Sequence, residues 1–302
     1  MKKIKTVLVT GAHGFVGLKL SEFLLAKGYN VIGLAFGQGL HPLRKHKNFI
    51  SISADIRDGA CLNAVFKKYK PAAVFHTAAL LPKPRRSITN SEFFLTNVLG
   101  TLNVLEAARK NKVAAVIHSS SMAVYGREIK YLPVNETHPC TPADLYGVSK
   151  FQAEELCGWY ARTYGLNTVI LRYSGIFGPG RRDGAVATFV DRALSNLPIE
   201  VESDITWDLL SVSDVIKANF LAFKKAARLR LATFNIGAGV GIHILKLASL
   251  VVQLAKSKSV VNLRAKGLSF CFFYDITKAK KLLGFVPSPL SVGIRQFMAK
   301  LK

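Results

Sequence analysis

After Asp214 this chain carries a single acid, Asp275, while Lys and Arg recur through to Lys302. Over all 302 residues, 42 Lys and Arg face 18 Asp and Glu, a formal net charge of +24. Such a field suits an anionic substrate, an anionic membrane surface or nucleic acid, and a lysine-rich solvated surface has the same composition. No zinc finger, helix-turn-helix signature or ribonucleoprotein aromatic motif accompanies the charge, so nucleic acid is not an expected partner. Cysteine is also scarce. Cys61, Cys140, Cys157 and Cys271 form no Cys-x-x-Cys pair, which excludes a zinc-ligand spacing and a dense disulfide framework. Reduced thiols and no metal are expected. Long apolar runs are missing too. The longest candidate, residues 242–255, is broken by His243, Lys246 and Gln253 and reads as an amphipathic helix, short of the ~18 apolar residues of a membrane span. The apolar stretch from Thr6 to Thr10 stops at Gly11, too soon for a signal peptide. Cytoplasmic residence without a transmembrane segment is expected, with peripheral membrane contact left open.

What is present suffices for one large α/β unit with a smaller lobe: 50% of the residues are hydrophobic and 20% charged. Val7-Leu8-Val9 followed by Thr10-Gly11-Ala12-His13-Gly14-Phe15-Val16-Gly17 reads as strand, tight turn and helix. Glycines there let backbone N–H groups approach a pyrophosphate, whose charge suits a helix N-terminus. A second strand, 30–36, ends without the acid that would bind the 2′-hydroxyl of NAD. Ala35 stands at that point, and Arg44, Lys45 and Lys47 follow, which leans toward NADP. A third strand ends near Asp55, placed to reach an adenine amine. A fourth, 73–79, has the small residues Ala78 and Ala79 at its carboxyl end, and a fifth, 114–118, delivers Ser119, Ser120 and Ser121. A helix over 91–110, containing Asn97 and Gly100, lies between the last two. Strands and helices alternating at this rhythm predict a parallel, doubly wound sheet with ligands beyond the carboxyl ends of its strands.

Tyr146 and Lys150 are four apart, one turn of a helix. An ammonium beside a phenol favours the phenolate, making Tyr146 a proton donor or acceptor near neutral pH. The spacing alone is common, and its meaning depends on the rest of the chain. There the match is specific. The carrying motifs are Thr10-Gly11-x-x-Gly14-x-x-Gly17, Asp55-Ile56, His76-x-Ala78-Ala79 and Asn97-x-x-Gly100-Thr101. Ser120-Ser121-x-x-Val124-Tyr125-Gly126, Tyr146-x-x-x-Lys150 and Leu171-Arg172-x-x-x-Ile176-Phe177-Gly178-Pro179-Gly180 follow, then Ser211-Val212-Ser213-Asp214-Val215, Phe234-Asn235-Ile236-Gly237 and the Asp275 to Pro287 segment. In that order they resemble an extended short-chain dehydrogenase/reductase of the NAD-dependent epimerase/dehydratase family, nearly end to end.

The resemblance implies a Rossmann domain over 1–178, with 205–240 returning to it, and a smaller C-terminal α/β substrate lobe from 179–204 and 241–302. It makes Tyr146 the acid/base, Lys150 the ligand of the nicotinamide ribose, and Ser121 the donor to the reacting oxygen. Gly11, His13, Gly14, Phe15, Val16, Gly17, Asp55, Ile56, Ala78, Ala79, Asn97, Ser119, Tyr173 and Ile176 join Tyr146 and Lys150 around NAD(P). Two departures fall in the substrate lobe: Gly175 stands where sugar-nucleotide members carry Asn, and Trp207 where many carry an Arg for the nucleotide phosphates. Met122 and Ala123 replace the Asp-Glu pair of dehydratases. Arg85, Arg86, Arg181 and Arg182 are candidates to replace the phosphate contact. Three functions are therefore carried forward: an epimerase or 4-keto reductase of a nucleotide-activated sugar, a reductase or dehydrogenase of an apolar alcohol like the 3β-hydroxysteroid and dihydroflavonol enzymes, and a non-catalytic dinucleotide sensor. The mean hydropathy of +0.24 also suits the second. A homodimer through the helices at 91–110 and 143–163 is implied by the resemblance.

Overall fold

A computed structural model describes residues 5–37, 41–82, 88–264 and 269–301. The chain divides into two compact units, one of Met1–Glu128, Pro139–Arg172 and Ala218–Phe234, the other of Ile129–His138, Tyr173–Lys217 and Asn235–Lys302. This division puts 129–138, 173–178, 205–217 and 235–240 in the second unit, whereas the sequence groups them with the first.

The first unit begins with β1 (Thr6–Thr10), α1 (Phe15–Ala26), β2 (Asn30–Ala35), β3 (Phe49–Ser53), α2 (Gly59–Tyr69) and β4 (Ala73–His76). It continues with α3 (Asn90–Phe93), a π-helical turn (Phe94–Leu99), α4 (Gly100–Lys110), β5 (Ala115–Ser121), α5 (Leu145–Tyr164) and β6 (Thr168–Tyr173). Local chemistry sets the helix limits. Asp58 caps α2 by accepting from Cys61 N, and Asp144 caps α5 by accepting from Gly147 N at 2.7 Å. Gly165, at φ +67°, closes α5 in the left-handed conformation that glycine takes without strain. The helix predicted over 91–110 is interrupted by the π turn, and the serines after β5 prove to be its last three residues.

In the second unit come β7 (Gly175–Phe177), α6 (Ala185–Leu194), β8 (Ile199–Val201), β9 (Asp204–Trp207) and β10 (Leu209–Ser211). Helix α7 (Val212–Leu229) runs from that unit into the first, where β11 (Leu231–Ile236) follows. The chain ends with β12 (Ile242–His243), α8 (Ile244–Ala255), β13 (Val261–Leu263), β14 (Ser269–Phe272) and α9 (Leu290–Ala299).

Seven strands form one sheet in the order β11-β6-β5-β4-β1-β2-β3, and the pairings from β3 through β5 are parallel. Its central strands are buried on both faces, which is why they read as continuous apolar runs. One face packs Leu8, Ile32, Val74 and Val116 against Leu62 and Phe66 of α2 and Leu105 of α4. On the other, Phe75 meets Phe223 of α7, and Phe23 of α1 meets Phe220 edge-on at 5.3 Å. The doubly wound Rossmann sheet expected from the sequence is the fold observed. The second unit has its own core, with Phe189 and Val190 of α6, Leu247 and Val251 of α8 and Ile294 and Phe297 of α9. Among the described residues no helix is long and apolar enough to cross a membrane.

Candidate active site

Strand β1 ends on the glycine turn, where the backbone leaves no room for a side chain at two positions. A Cβ on Gly11 would lie 2.8 Å from Ala78 N and Cα, and one on Gly17 would lie 2.2 Å from Gly11 O. Gly11 also sits at φ +68°. The turn is tied to β4: Thr10 Oγ1 lies 2.7 Å from His76 Nδ1 and accepts from Ala78 N, and Thr77 Oγ1 donates to Thr10 O at 2.6 Å. No side chain caps α1, and its first turn holds no acid. The first-turn N–H groups and the positive end of the helix dipole are thus left for an anion. A dinucleotide pyrophosphate fits this cradle. His13 is exposed, Phe15 and Val16 are half-buried, and the His13 ring lies 4.6 Å from His41. His41 escaped the sequence reading. It is buried with Nε2 3.0 Å from Ala12 O, and burial keeps it from protonating at its ordinary pH. No short-range pattern links two residues 29 apart.

Asp55 is engaged by its own neighbour. Arg57 donates to Oδ2 through Nε at 2.8 Å and Nη2 at 2.5 Å, and Arg57 N donates to Oδ1. Partial burial would raise the Asp55 pKa, but these bonds outweigh it and hold the carboxyl below its usual range. Ile56 is buried against Gly100, where a Cβ would come within 2.5 Å of Ile56 Cδ1. Ala78 and Ala79 are half-buried beyond the carboxyl end of β4. Asn97 is fully used as a strap: its Nδ2 donates to Leu80 O and to Ser149 Oγ, and its Oδ1 accepts from Leu80 N at 2.7 Å. The π turn at Phe94–Leu99 presents Asn97 for this purpose, in keeping with the concentration of π turns at functional sites. Ser149 lies between Tyr146 and Lys150, so one side chain fixes both the Ala79 segment and α5.

Ser119 and Ser121 are half-buried at the end of β5, and Ser121 Oγ accepts from Ala123 N. The first turn of α5 presses on the same segment: a Cβ on Gly147 would meet Ala123 O at 2.5 Å. Tyr146, the preceding residue, is half-buried there, while Lys150 is 2% exposed. Burial lowers the Lys150 pKa to about 8, opposed by the charge of Glu154 one turn along. Two buried histidines lie side by side on β4 and β5. His76 and His118 pair in register with rings 5.3 Å apart. His76 bridges Thr10 and Thr101, whereas both ring nitrogens of His118 are buried with no hydrogen-bond partner among the described residues. Burial lowers His76 to about 3 and puts His118 well below its ordinary value.

Tyr173, Gly175, Ile176, Arg181 and Trp207 belong to the second unit, and Arg85 and Arg86 lie outside the described residues. Gly175, Ile176, Arg181 and Trp207 line one cavity of about 290 Å³, otherwise walled mainly by apolar side chains such as Ile205 and Leu247. Trp207 occupies the space that a side chain at 175 would need. A Cβ on Gly175 would lie 2.5 Å from the indole Nε1, and the indole itself rests on Phe270. Arg181 is spoken for, bonded to Asp183 Oδ1 at 2.7 Å and to Ile176 O. Tyr173 is buried. Asp208, next to Trp207, is the hub of this corner: its carboxylate accepts from Ser174 Oγ and from the backbone of Ala238, Gly239 and Tyr274. Burial raises its pKa and the four donors work against that rise.

A doubly wound sheet with this glycine cradle, Ser121, Tyr146 and Lys150 defines a dinucleotide-dependent enzyme of the extended short-chain dehydrogenase type. The chain belongs to the NAD dependent epimerase/dehydratase family, whose profile matches residues 7–237. It is 32% identical over 310 residues to a UDP-glucose 4-epimerase of Mycolicibacterium smegmatis, covering 95% of each chain. Among solved structures, the UDP-glucose 4-epimerase of Thermotoga maritima with UDP-glucose superposes with a TM-score of 0.87 at 29% identity, covering 98% of each chain. The UDP-glucose 4-epimerase of Thermus thermophilus in complex with NAD gives 0.84 at 28% identity with the same coverage.

Proposed function

We propose that this chain is an epimerase that inverts a hydroxyl-bearing carbon of a nucleotide-activated sugar, using NAD(P). The observation that carries the proposal is the intact set Ser121, Tyr146 and Lys150 beside the glycine cradle of the first unit. The near full-length likeness to UDP-glucose 4-epimerases supports the sugar-nucleotide substrate.

In this reading the cradle of Gly11, Gly14 and Gly17 binds the pyrophosphate and Lys150 the nicotinamide ribose. A bound nicotinamide supplies a hydride acceptor and donor. Tyr146 Oη takes the proton from the substrate hydroxyl and gives it back after the carbon has been presented on its other face. The Ser121 hydroxyl donates to the same oxygen and steadies the charge that develops there. Lys150, a buried cation, favours the phenolate of Tyr146. The absence of an acid after β2, with Arg44 and Lys45 downstream, favours tolerance of a 2′-phosphate. A homodimer through the helical segment 91–110 and α5 is proposed with it, on the exposed Leu95 and Leu99 of the π turn and Trp159 of α5.

The test is interconversion of UDP-glucose and UDP-galactose by the purified chain, with cofactor content measured after denaturation. An epimerase returns the hydride and consumes no cofactor. Stoichiometric oxidation of added NADH or NADPH, or no thermal shift with any nucleotide diphosphate, would overturn the proposal. Parallel titration with NAD and NADP reads the cofactor preference, and sedimentation reads the assembly.

A further inference from the structure

The starts of the seven strands form the edge of the first unit opposite the glycine turn and Ser121, and backbone hydrogen bonds knit them into one row. Val31 N donates to Asn48 O, Asn30 N to Lys5 O, Ala72 N to Thr6 O, Ala114 N to Ala72 O, Val116 N to Asn167 O, and Thr168 N to Arg230 O. The row sets cations side by side. Exposed Lys5 precedes β1, Lys27 β2, Lys47 β3, Lys70 β4, Lys112 β5 and Arg230 β11. Helices descending to this edge add Lys67 and Lys68, Lys110, Arg162 and Arg228 in their last turns. The segments leading into these strands contain no Asp or Glu. Glu106, near the end of α4, is already paired with Arg109 and Lys110.

Backbone geometry separates this from a general excess of lysine. Five helices of the unit are each followed, before the next strand, by one left-handed residue. After α1 and α5 it is Gly28 and Gly165, the residue that takes this conformation without strain. After α2, α4 and α7 it is Lys70 at φ +46°, Lys112 at +54° and Arg230 at +56°. A side chain is disfavoured at all three positions, and each time it is a cation. The helix dipole favours a cation anywhere in the last turn and does not require one at the strained position.

We propose that this edge is a docking surface for an anionic lipid bilayer. Six strand intervals of ~4.8 Å spread the row across about 29 Å, a broad face, where a nucleic acid would call for a single track of phosphate contacts. Tyr69 and Tyr164, with Lys68 and Arg109 5.1 and 4.8 Å from their ring centres, supply the tyrosine-and-cation chemistry of a membrane interface. Docking through this edge leaves the glycine turn and Ser121, at the opposite edge of the same sheet, open to solution. With no lipid-inserting helix involved, binding is electrostatic, reversible and sensitive to salt.

The test is co-sedimentation of the full chain with vesicles of phosphatidylcholine and phosphatidylserine in equal parts, against phosphatidylcholine alone. Each cation at an anionic surface is worth about fivefold in partition. The triple variant Lys70→Gly, Lys112→Gly, Arg230→Gly is therefore expected to partition about a hundredfold more weakly. Glycine keeps the left-handed turns, so the variant folds, which its thermal midpoint checks. Lys256→Gly, at φ +53° in the second unit, should partition as the parent does. Partition onto phosphatidylserine vesicles that salt abolishes and the triple variant loses supports the proposal. Equal partition onto neutral vesicles, an unaltered triple variant, or capture by a DNA duplex without capture by vesicles would each overturn it.

Discussion

Arg172 Nη2 and Glu154 Oε2 lie 2.6 Å apart with both side chains nearly excluded from solvent, one helical turn beyond Lys150. Arg172 Nε donates to the same carboxylate, Arg172 Nη1 donates to Tyr125 Oη at 2.8 Å, and Ser120 Oγ donates to Glu154 Oε1. The cluster ties α5 and β5, the elements that carry the three proposed catalytic side chains, to β6. Glu154 also opposes the burial that lowers Lys150. A positioning role for Glu154 toward Lys150, acting through its charge, is the prediction that follows.

Breaking this pair should cost more than deleting it. Glu154→Leu leaves the Arg172 guanidinium buried without its counter-ion, at about 3–5 kcal/mol of unfolding free energy. Adding Arg172→Met should recover most of that loss in a urea-denaturation cycle. Both variants lose the charge that holds Lys150 up, so the alkaline limb of turnover moves to lower pH even where stability recovers. A double variant with the parent pH profile would restrict Glu154 to a structural role.

The sheet and the glycine turn were legible because central parallel strands are buried on both faces and read as unbroken apolar runs, and because glycine is the residue such a turn requires. Tyr146 and Lys150 were legible because helical spacing is local. What escaped depends on partners distant in sequence. The π turn forms where Asn97 must reach Leu80 and Ser149 together, and nothing in residues 91–110 alone says so. His41 meets Ala12 across 29 positions, and Glu154 finds Arg172 through strand order. Gly175 and Trp207 were each visible as departures, but not that one fills the other's space.

Tyr146→Phe should lower epimerisation by about 10²–10⁴ while the dissociation constant of NAD changes by less than about twofold. The phenol oxygen carries the proton in the proposed reaction, whereas the glycine cradle carries the pyrophosphate. Stopped turnover with intact cofactor retention is the expected pair of readings. Full activity would remove Tyr146 from the mechanism.

The buried histidines make stability depend on pH in one direction. His76 and His118 both have native pKa values below the ordinary 6.5, with His76 at about 3. Between those limits the unfolded chain binds more protons than the native one, so stability falls as pH falls through that window, by about 1.4 kcal/mol per pH unit per histidine. His118→Phe removes one of the two and also removes two buried ring nitrogens that lack partners among the described residues. Urea midpoints from pH 7 to pH 4 should show a shallower acid slope and a gain of about 1–3 kcal/mol at pH 5. An unaltered slope would mean that His118 does not titrate on unfolding in this range.

Gly175 and Trp207 should behave as a single unit. Gly175→Asn alone drives a side chain into the indole, whose Nε1 and Cδ1 would stand 2.5 and 2.8 Å from the new Cβ, and overpacking of this kind costs about 1–3 kcal/mol. Trp207→Arg alone removes the ring from Phe270 and leaves a void in the wall of the cavity, at about 2–4 kcal/mol. Together the two substitutions restore the Asn and Arg that the family resemblance places there, and the Asn enters the space the indole has left. The double variant should be less destabilised than the sum of the singles by about 1–3 kcal/mol, the coupling expected of residues in contact. Its thermal shift with UDP should exceed that of the parent, because the new guanidinium offers a bidentate donor to phosphate where the indole offers one N–H. Additive losses would show that the close approach of Gly175 and Trp207 does not govern this wall, and an unaltered UDP shift would show that the phosphates bind elsewhere.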